Sequence, residues 1–217
     1  MANNLTSKGQ FVEIDFTAAI KQNGDVFDTT LKDVAKKAGL ADEKAKSFMV
    51  CIGEGMVLEG FDKALEGKEL GKEYTVELAP KQAFGERNAS MVKIVPIKLF
   101  QSKGIMPYPG LSLNMDGLIA RISAVSGGRV VTDFNNPLAG KDIVYKFKIK
   151  RMAADEKEKL ACLTEVYFHQ LPSNAIKSFE GKKATIKIKK ETPKRTQDVF
   201  TKKAKELLGV DVTLEAE

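Results

Sequence analysis

The sequence predicts an α+β fold with three parts. Alternating strands and one short helix fill the first 86 residues, and a long alternating strand near residue 143 completes the same sheet. A small β-rich unit with its own turns lies between these two stretches. The composition changes again at Asp155, where amphipathic helices and short strands begin. Of the 217 residues, 43% are hydrophobic and 29% are charged, which is enough apolar material for a buried core.

The first two strands are predicted from an alternating pattern and a hairpin turn. Residues 12–18 alternate between apolar and polar side chains, as in a strand with one buried face. Asn23-Gly24 is a strong signal for a tight hairpin turn, and Val26-Phe27 begins the second strand. Asp28 ends this strand beside Phe27. Its carboxylate either caps a turn, which is the simpler interpretation, or faces a pocket.

Residues 48–85 are the centre of the predicted fold. Residues 48–52 form a short apolar run that ends in glycines, which is typical of a strand and a turn. Apolar residues recur at helical spacing over 57–65, and a half-buried strand follows over 74–78. Phe84-Gly85 then puts an aromatic side chain at a tight bend. Together these elements predict a concave apolar surface without a nucleophile.

Residues 87–134 are predicted to form a small all-β unit. Apolar segments flank Pro96, and further alternating segments follow with a turn at Gly127-Gly128. Residues 143–149 then alternate as a long strand with an aromatic inner face. The pattern resembles that of the first strand, so the first sheet is predicted to be interrupted and then completed.

Residues 155–217 are predicted to form a compact α/β segment. Asp155 precedes an amphipathic helix with acidic residues in its first turn. The remaining elements are a short helix over 173–179, a strand over 184–189, a second amphipathic helix that Gly209 ends, and a strand over 210–214. The basic run from Lys182 to Arg195 either binds nucleic acid or is a solvated face that protects a strand edge. We favour the solvated face because no aromatic residue is interleaved for base stacking.

Composition argues against several classes of site. The net charge of +6 is spread along the chain, and His169 is the only histidine. A histidine metal site or a Ser-His-Asp triad therefore lacks partners, and we expect neither a metal nor a cofactor. Cys51 and Cys162 lie in apolar surroundings and are predicted to be buried small hydrophobic residues. The first residues have no apolar signal core and no run is long enough to span a membrane, so we expect a cytoplasmic protein.

Four motifs in order resemble the FKBP-type peptidyl-prolyl isomerases, above all their SlyD-like and archaeal long-type branch. They are Asn23-Gly-Asp-Val-Phe-Asp28, Gly53-Glu-Gly-Met-Val-Leu-Glu-Gly-Phe61, Ala83-Phe84-Gly85 and Asn136-Pro-Leu-Ala-Gly140. The resemblance covers about residues 10–152 and implies an antiparallel half-barrel wrapped on a short helix. It implies an isomerase domain over 1–86 and 135–154, and an insert-in-flap domain over 87–134 that binds unfolded chains. Residues 155–217 resemble, more weakly, an extra C-terminal domain associated with dimerisation.

The resemblance also implies a prolyl pocket. Its residues here are Phe16, Phe27, Asp28, Phe48, Val57, Leu58, Phe61, Phe84 and Tyr145. From the residues alone, this set is more simply explained as plain core with Asp28 as the one charged member. In the family, the positions of Phe16 and Phe84 usually hold tyrosine, that of Phe61 tryptophan and that of Tyr145 phenylalanine. The resemblance implies that Phe61 forms the floor beneath the proline ring. It also implies that the backbone N–H of Leu58 donates a hydrogen bond to the substrate carbonyl that follows proline.

The function that follows is isomerisation of X-Pro bonds in unfolded or partly folded polypeptides, with client binding by the inserted domain. The alternative is a holdase chaperone whose isomerase pocket is weak or inactive. The expected partners are unfolded or proline-containing clients and a second copy of the chain bound through residues 155–217. Neither a membrane nor nucleic acid is an expected partner.

Overall fold

The structure is a computed structural model that describes residues 5–115, 117–169 and 172–216. The chain divides into two compact units. The first combines Met1–Glu77 with Val144–Glu217 and is called the composite unit below. The second is Leu78–Ile143 and is called the middle unit.

The described elements follow the chain in three groups. The first group is β1 (Phe11–Ile20), β2 (Val26–Thr29), α1 (Lys32–Lys37), β3 (Phe48–Cys51), α2 (Glu59–Ala64) and β4 (Glu73–Leu78). The second group is β5 (Val92–Pro96), α3 (Ile97–Gln101), β6 (Ser112–Met115), β7 (Leu118–Ser126) and β8 (Arg129–Asp133). The third group is β9 (Ile143–Met152), α4 (Glu156–Phe168), α5 (Pro172–Ala175), β10 (Ile176–Glu180), β11 (Lys183–Ile188), α6 (Lys194–Leu208) and β12 (Asp211–Ala216).

Strand β1 organises a five-stranded sheet with the order β2-β1-β9-β4. Strand β3 pairs antiparallel with the first half of β1, and β2 pairs antiparallel with its second half. Along β1 the alternate residues Val12, Ile14 and Phe16 are buried, because successive side chains of a strand point to opposite faces. The predicted hairpin, the predicted short helix and the adjacency of the first and the long strand are confirmed.

The middle unit contains a four-stranded antiparallel sheet with the order β5-β8-β7-β6. Phe100, Ile122 and Val130 form its buried centre. The prediction of an all-β unit is wrong for the segment after Pro96, because Ile97–Gln101 is helical. Pro96 is the N-cap of this helix with extended backbone angles, and one helical turn brings Phe100 into the core.

The C-terminal segment places β10-β11-β12 in one sheet, with β11 and β12 parallel. A parallel pair needs a crossover, and α6 supplies it. The predicted helix over 173–179 is wrong beyond Ala175, because β10 begins at Ile176 and pairs antiparallel with β11. Its residues form a hairpin with β11, and this strand pairing overrides the helical spacing of the apolar residues.

The core of the C-terminal segment extends into the five-stranded sheet. Leu160, Leu163 and Phe200 are fully buried in a cluster that also contains Phe11 of β1 and Cys51 of β3. Helix α4 and helix α6 pack against each other at this cluster. Within the composite unit, one continuous apolar core therefore joins the C-terminal helices to β1 and β3.

Both cysteine thiols are free and buried, as predicted. Burial raises the pKa of Cys51 and of Cys162 to about 12. Within the three described ranges, no group of three His, Cys, Asp or Glu side chains is arranged to hold a metal ion. Among the same residues, no helix has the length and apolar character needed to cross a membrane.

Candidate active site

Three aromatic rings meet on the inward face of the five-stranded sheet. The rings of Phe61 and Tyr145 stack with their centroids 4.1 Å apart and an interplanar angle of 17°. Phe16 contacts Phe61 at 5.7 Å and Tyr145 at 5.6 Å between centroids. β1 supplies Phe16, β9 supplies Tyr145, and the short helix α2 presents Phe61 to both strands. Three of the nine predicted site residues thus form one aromatic cluster.

Phe147 belongs to the same cluster, although the predicted site did not include it. Its ring meets Phe61 edge-on at 5.2 Å and stacks with Tyr74 at 5.7 Å. Phe147 follows Tyr145 by two residues on β9, so both side chains point to the same face. This spacing was visible in the sequence and is the signal that would have identified it.

The aromatic cluster is closed in this structure. Only 1% of Phe61 and 5% of Tyr145 are exposed to solvent. Tyr145 covers one face of the Phe61 ring, and Phe147 meets that ring edge-on. The cluster is thus a packed aromatic core in this structure.

Asp28 lies at the edge of this aromatic cluster. It pairs with Ala18 across β1 and β2, and Ala18 is fully buried on the inward face, so the Asp28 side chain shares that face. Burial, and then the negative charge of Asp28, raise the pKa of Tyr145 to about 12. Desolvation raises the pKa of Asp28 itself, against a backbone hydrogen bond from Thr29 that lowers it. Asp28 is exposed, and the bond from Thr29 fits the turn interpretation, while the effect of its charge on the pKa of Tyr145 places the carboxylate near the aromatic cluster.

Three further predicted site residues are partly buried aromatic residues outside the cluster of contacting rings. Phe48 is partly buried and pairs with Ile14 across β1 and β3, which puts it on the inward face. Phe27 is partly buried and falls at a register shift between β1 and β2. Phe84 is partly buried in the middle unit, and its part in the site stays a prediction.

Val57 and Leu58 lie in the segment 53–58, which leads into α2 and is called the entry loop below. Both are partly buried, and Leu58 is the N-cap of α2 with an extended backbone. Its carbonyl accepts the N–H of Asp62 at 2.8 Å. Within the described ranges, the N–H of Leu58 has no protein acceptor. This amide is therefore available to a carbonyl of a bound chain.

Asp62 holds the beginning of the entry loop and was missed by the sequence analysis. Its carboxylate accepts the backbone N–H of Gly53 at 2.8 Å and that of Gly55 at 2.9 Å. Both glycines have positive φ, 84° and 67°, a conformation that other residues rarely adopt. Only 6% of Asp62 is exposed. A buried carboxylate next to Phe61 thus fixes the turn that leads to Val57 and Leu58.

Comparison with known proteins agrees with this arrangement. A model of the FKBP-type peptidyl-prolyl cis-trans isomerase family matches residues 3–100, and a model described as "FKBP26, IF domain" matches residues 93–138. The short-type peptidyl-prolyl cis-trans isomerase of Methanocaldococcus jannaschii is 31% identical over 71% of this chain and 99% of that protein. A probable FKBP-type 16 kDa isomerase of Pseudomonas fluorescens is 32% identical over 65% of this chain and 89% of its own length.

SlyD proteins are also similar to this chain. The SlyD isomerase of Vibrio cholerae is 30% identical over 50% of this chain and 56% of its own length. The matches to the isomerase family model and to relatives covered over most of their length agree with the α+β fold and with the motifs at the aromatic cluster. The chain therefore belongs to the family of FKBP-type peptidyl-prolyl cis-trans isomerases and is SlyD-like.

Proposed function

We propose that the aromatic cluster and its rim bind the proline of an unfolded or partly folded polypeptide and accelerate rotation about the preceding bond. The observation that carries this proposal is the meeting of Phe16, Phe61 and Tyr145 with Asp28 at their edge. Phe61 is the floor, and Phe48, Val57, Tyr145 and Phe16 are the walls. Phe27 completes the proposed pocket, and a role for Phe84, which lies in the middle unit, stays a prediction.

The proposed mechanism needs neither a nucleophile nor a general acid. Rotation about a peptide bond has a barrier of about 18–20 kcal/mol because amide resonance must be broken. The twisted transition state has lost that resonance, so its carbonyl is less polar and is less well solvated by water. A dry aromatic pocket favours this state over the planar ground state, and each factor of ten in rate requires only about 1.4 kcal/mol. In this proposal the N–H of Leu58 holds the carbonyl that follows proline, and Asp28 polarises the rim.

We further propose that the middle unit binds clients. Seven of the ten exposed large hydrophobic side chains among the described residues belong to it. They are Met91, Ile94, Leu99, Met106, Tyr108, Leu118 and Ile119. Exposed apolar side chains at this density are typical of protein-binding surfaces. A client held there would meet the pocket at a raised local concentration.

A holdase with a weak or inactive pocket is the second candidate, and the burial of Phe61 beneath Tyr145 favours it. It predicts suppression of client aggregation without faster isomerisation. The homodimer through residues 155–217, the cytoplasmic location and the absence of a nucleic-acid partner stay predictions.

Two sets of variants in two assays test these proposals. Phe61→Leu is expected to lower kcat/KM on a short proline peptide by about tenfold or more. Phe11→Leu removes the same volume from the C-terminal core and controls for lost stability. Ile94→Gln with Ile119→Gln is expected to leave peptide isomerisation unchanged but to slow the refolding of a proline-limited protein.

Val199→Gln, an exposed apolar side chain of the composite unit, is the matched control for the surface variants. If Phe61→Leu isomerises the peptide as fast as the wild type, the pocket assignment is wrong. If the surface variants still accelerate refolding as the wild type does, the client-binding assignment is wrong. A wild type that only prevents aggregation supports the holdase.

A further inference from the structure

An ion pair joins helix α6 to the entry loop of the proposed pocket. Lys203 Nζ lies 2.7 Å from a carboxylate oxygen of Glu54. The side chain of Glu54 is 15% exposed and that of Lys203 is 33% exposed, so water screens this pair less than a fully exposed one. The hydrogen bond to Glu54 also raises the pKa of Lys203. Glu54 stands between the two glycines that Asp62 holds.

Further contacts tie the same loop and strand β3 to the C-terminal segment. The side chain of Met56 packs against the cluster formed mainly by α4, α6 and the C-terminal sheet, and its sulfur accepts the N–H of Cys51. The thiol of Cys162 on α4 donates to the carbonyl of Met49 at 3.2 Å. Lys46 and Glu165 form an ion pair at 2.6 Å. The C-terminal segment therefore contacts residues before the entry loop, at Lys46 and Met49, as well as the loop itself, at Glu54 and Met56.

The entry loop needs such tethers because glycine leaves its backbone free. Gly53 and Gly55 adopt positive φ and, without side chains, lose more conformational freedom on ordering than other residues. Asp62 fixes two of the amides from the side of α2, and Lys203 fixes Glu54 from the side of α6. Val57 and Leu58 follow directly, so any shift of the turn moves the Leu58 amide.

We propose that Lys203 is a positioning residue of the isomerase site, through which the C-terminal segment sets the placement of the Leu58 amide. This inference rests on the proposed roles of Val57 and Leu58. A hydrogen bond from Leu58 to the substrate carbonyl is present in both the planar and the twisted state. Its weakening therefore raises KM and leaves kcat nearly unchanged.

The experiment uses the full chain and a short proline peptide. Lys203→Met removes the charge and keeps most of the aliphatic side chain, and Lys203→Arg keeps a positive charge. Lys202→Met is the control, because Lys202 lies on the same helix and its side chain is 74% exposed. We expect Lys203→Met to raise KM about fivefold, the factor that corresponds to a partly buried ion pair. Lys203→Arg should recover most of the loss, and Lys202→Met should behave as the wild type.

Salt supplies a readout that a purely structural role would not change. At high ionic strength the KM of the wild type should rise only part of the way to that of Lys203→Met, because a partly buried pair is incompletely screened, and the KM of Lys203→Met should not change with salt. The proposal is overturned if Lys203→Met has the KM of the wild type. It is also overturned if the rise in KM follows from a lower unfolding midpoint and Lys203→Arg does not reverse it. Phe61→Leu measured beside these variants separates the two ideas. If Phe61→Leu lowers activity and Lys203→Met does not, the pocket assignment holds and the proposed role of Lys203 is wrong. If Phe61→Leu has no effect, the pocket assignment is wrong.

Discussion

Asp62→Asn tests whether a buried carboxylate holds the entry loop. The carboxylate accepts two backbone N–H groups, from Gly53 and Gly55, and is 6% exposed. Asparagine keeps one acceptor but turns its NH2 group towards the second N–H, so one charge-assisted hydrogen bond is lost. Such a bond contributes about 1.5–3 kcal/mol to the free energy of unfolding. For a chain of this size the unfolding midpoint should fall by about 3–12 °C.

The assay compares thermal unfolding and peptide isomerisation of the wild type, Asp62→Asn and Glu66→Gln. Glu66 is an exposed acid shortly after α2 and controls for the loss of one negative charge. We expect the control to unfold like the wild type, and Asp62→Asn to lose stability and to show a raised KM. If Asp62→Asn unfolds at the wild-type midpoint, the two hydrogen bonds do not stabilise the turn and the reasoning fails.

The remaining predictions concern the titratable groups. Because desolvation in the folded state raises the pKa of Asp28 above its ordinary value of 3.8, the charged carboxylate destabilises the fold at neutral pH. At pH 7 the unfolding midpoint of Asp28→Asn should therefore equal or exceed that of the wild type, and the difference should vanish well below pH 3.8. The peptide isomerase activity of this variant should fall. A lower unfolding midpoint than the wild type at pH 7 contradicts this prediction. The phenol of Tyr145 should ionise near pH 12. The ionisation is measured as the part of the phenolate absorbance change that is absent in Tyr145→Phe. A midpoint near the ordinary value of 10.0 would refute the burial of Tyr145 beside Asp28. Cys51 and Cys162 should resist a thiol reagent at pH 8 in the native protein and react fully in denaturant; fast native labelling would disprove their burial.

Much of the fold was predictable because the hydrophobic pattern is periodic where one face is buried. The alternation along β1 and β9 identified both strands, and Asn23-Gly24 identified the hairpin between β1 and β2. The prediction failed at Ile97–Gln101 and at Ile176–Glu180. Both segments are short, and local spacing is outweighed in the first by burial of Phe100 against Ile122 and Val130 and in the second by pairing with β11.

The candidate site was predictable only in part. The family resemblance selected Phe16, Phe61 and Tyr145, of which only Phe61 lies in a quoted motif, and the structure brings these three rings into contact. Asp62 was missed because an acid in a short surface-like helix gives no sequence signal of burial. Its role depends on where the backbone amides of Gly53 and Gly55 point.

By itself, the sequence determined the family, the α+β class, the order of most elements and an apolar site without a nucleophile, because local periodicity and turn residues encode these. Only the tertiary structure decided that Tyr145 covers Phe61, that Asp62 holds the entry loop and that Lys203 reaches Glu54. Lys203 and Glu54 are 149 residues apart, and no local pattern links them. Such contacts depend on how complete helices and strands pack against one another in three dimensions, and this packing fixes the positions of the site residues.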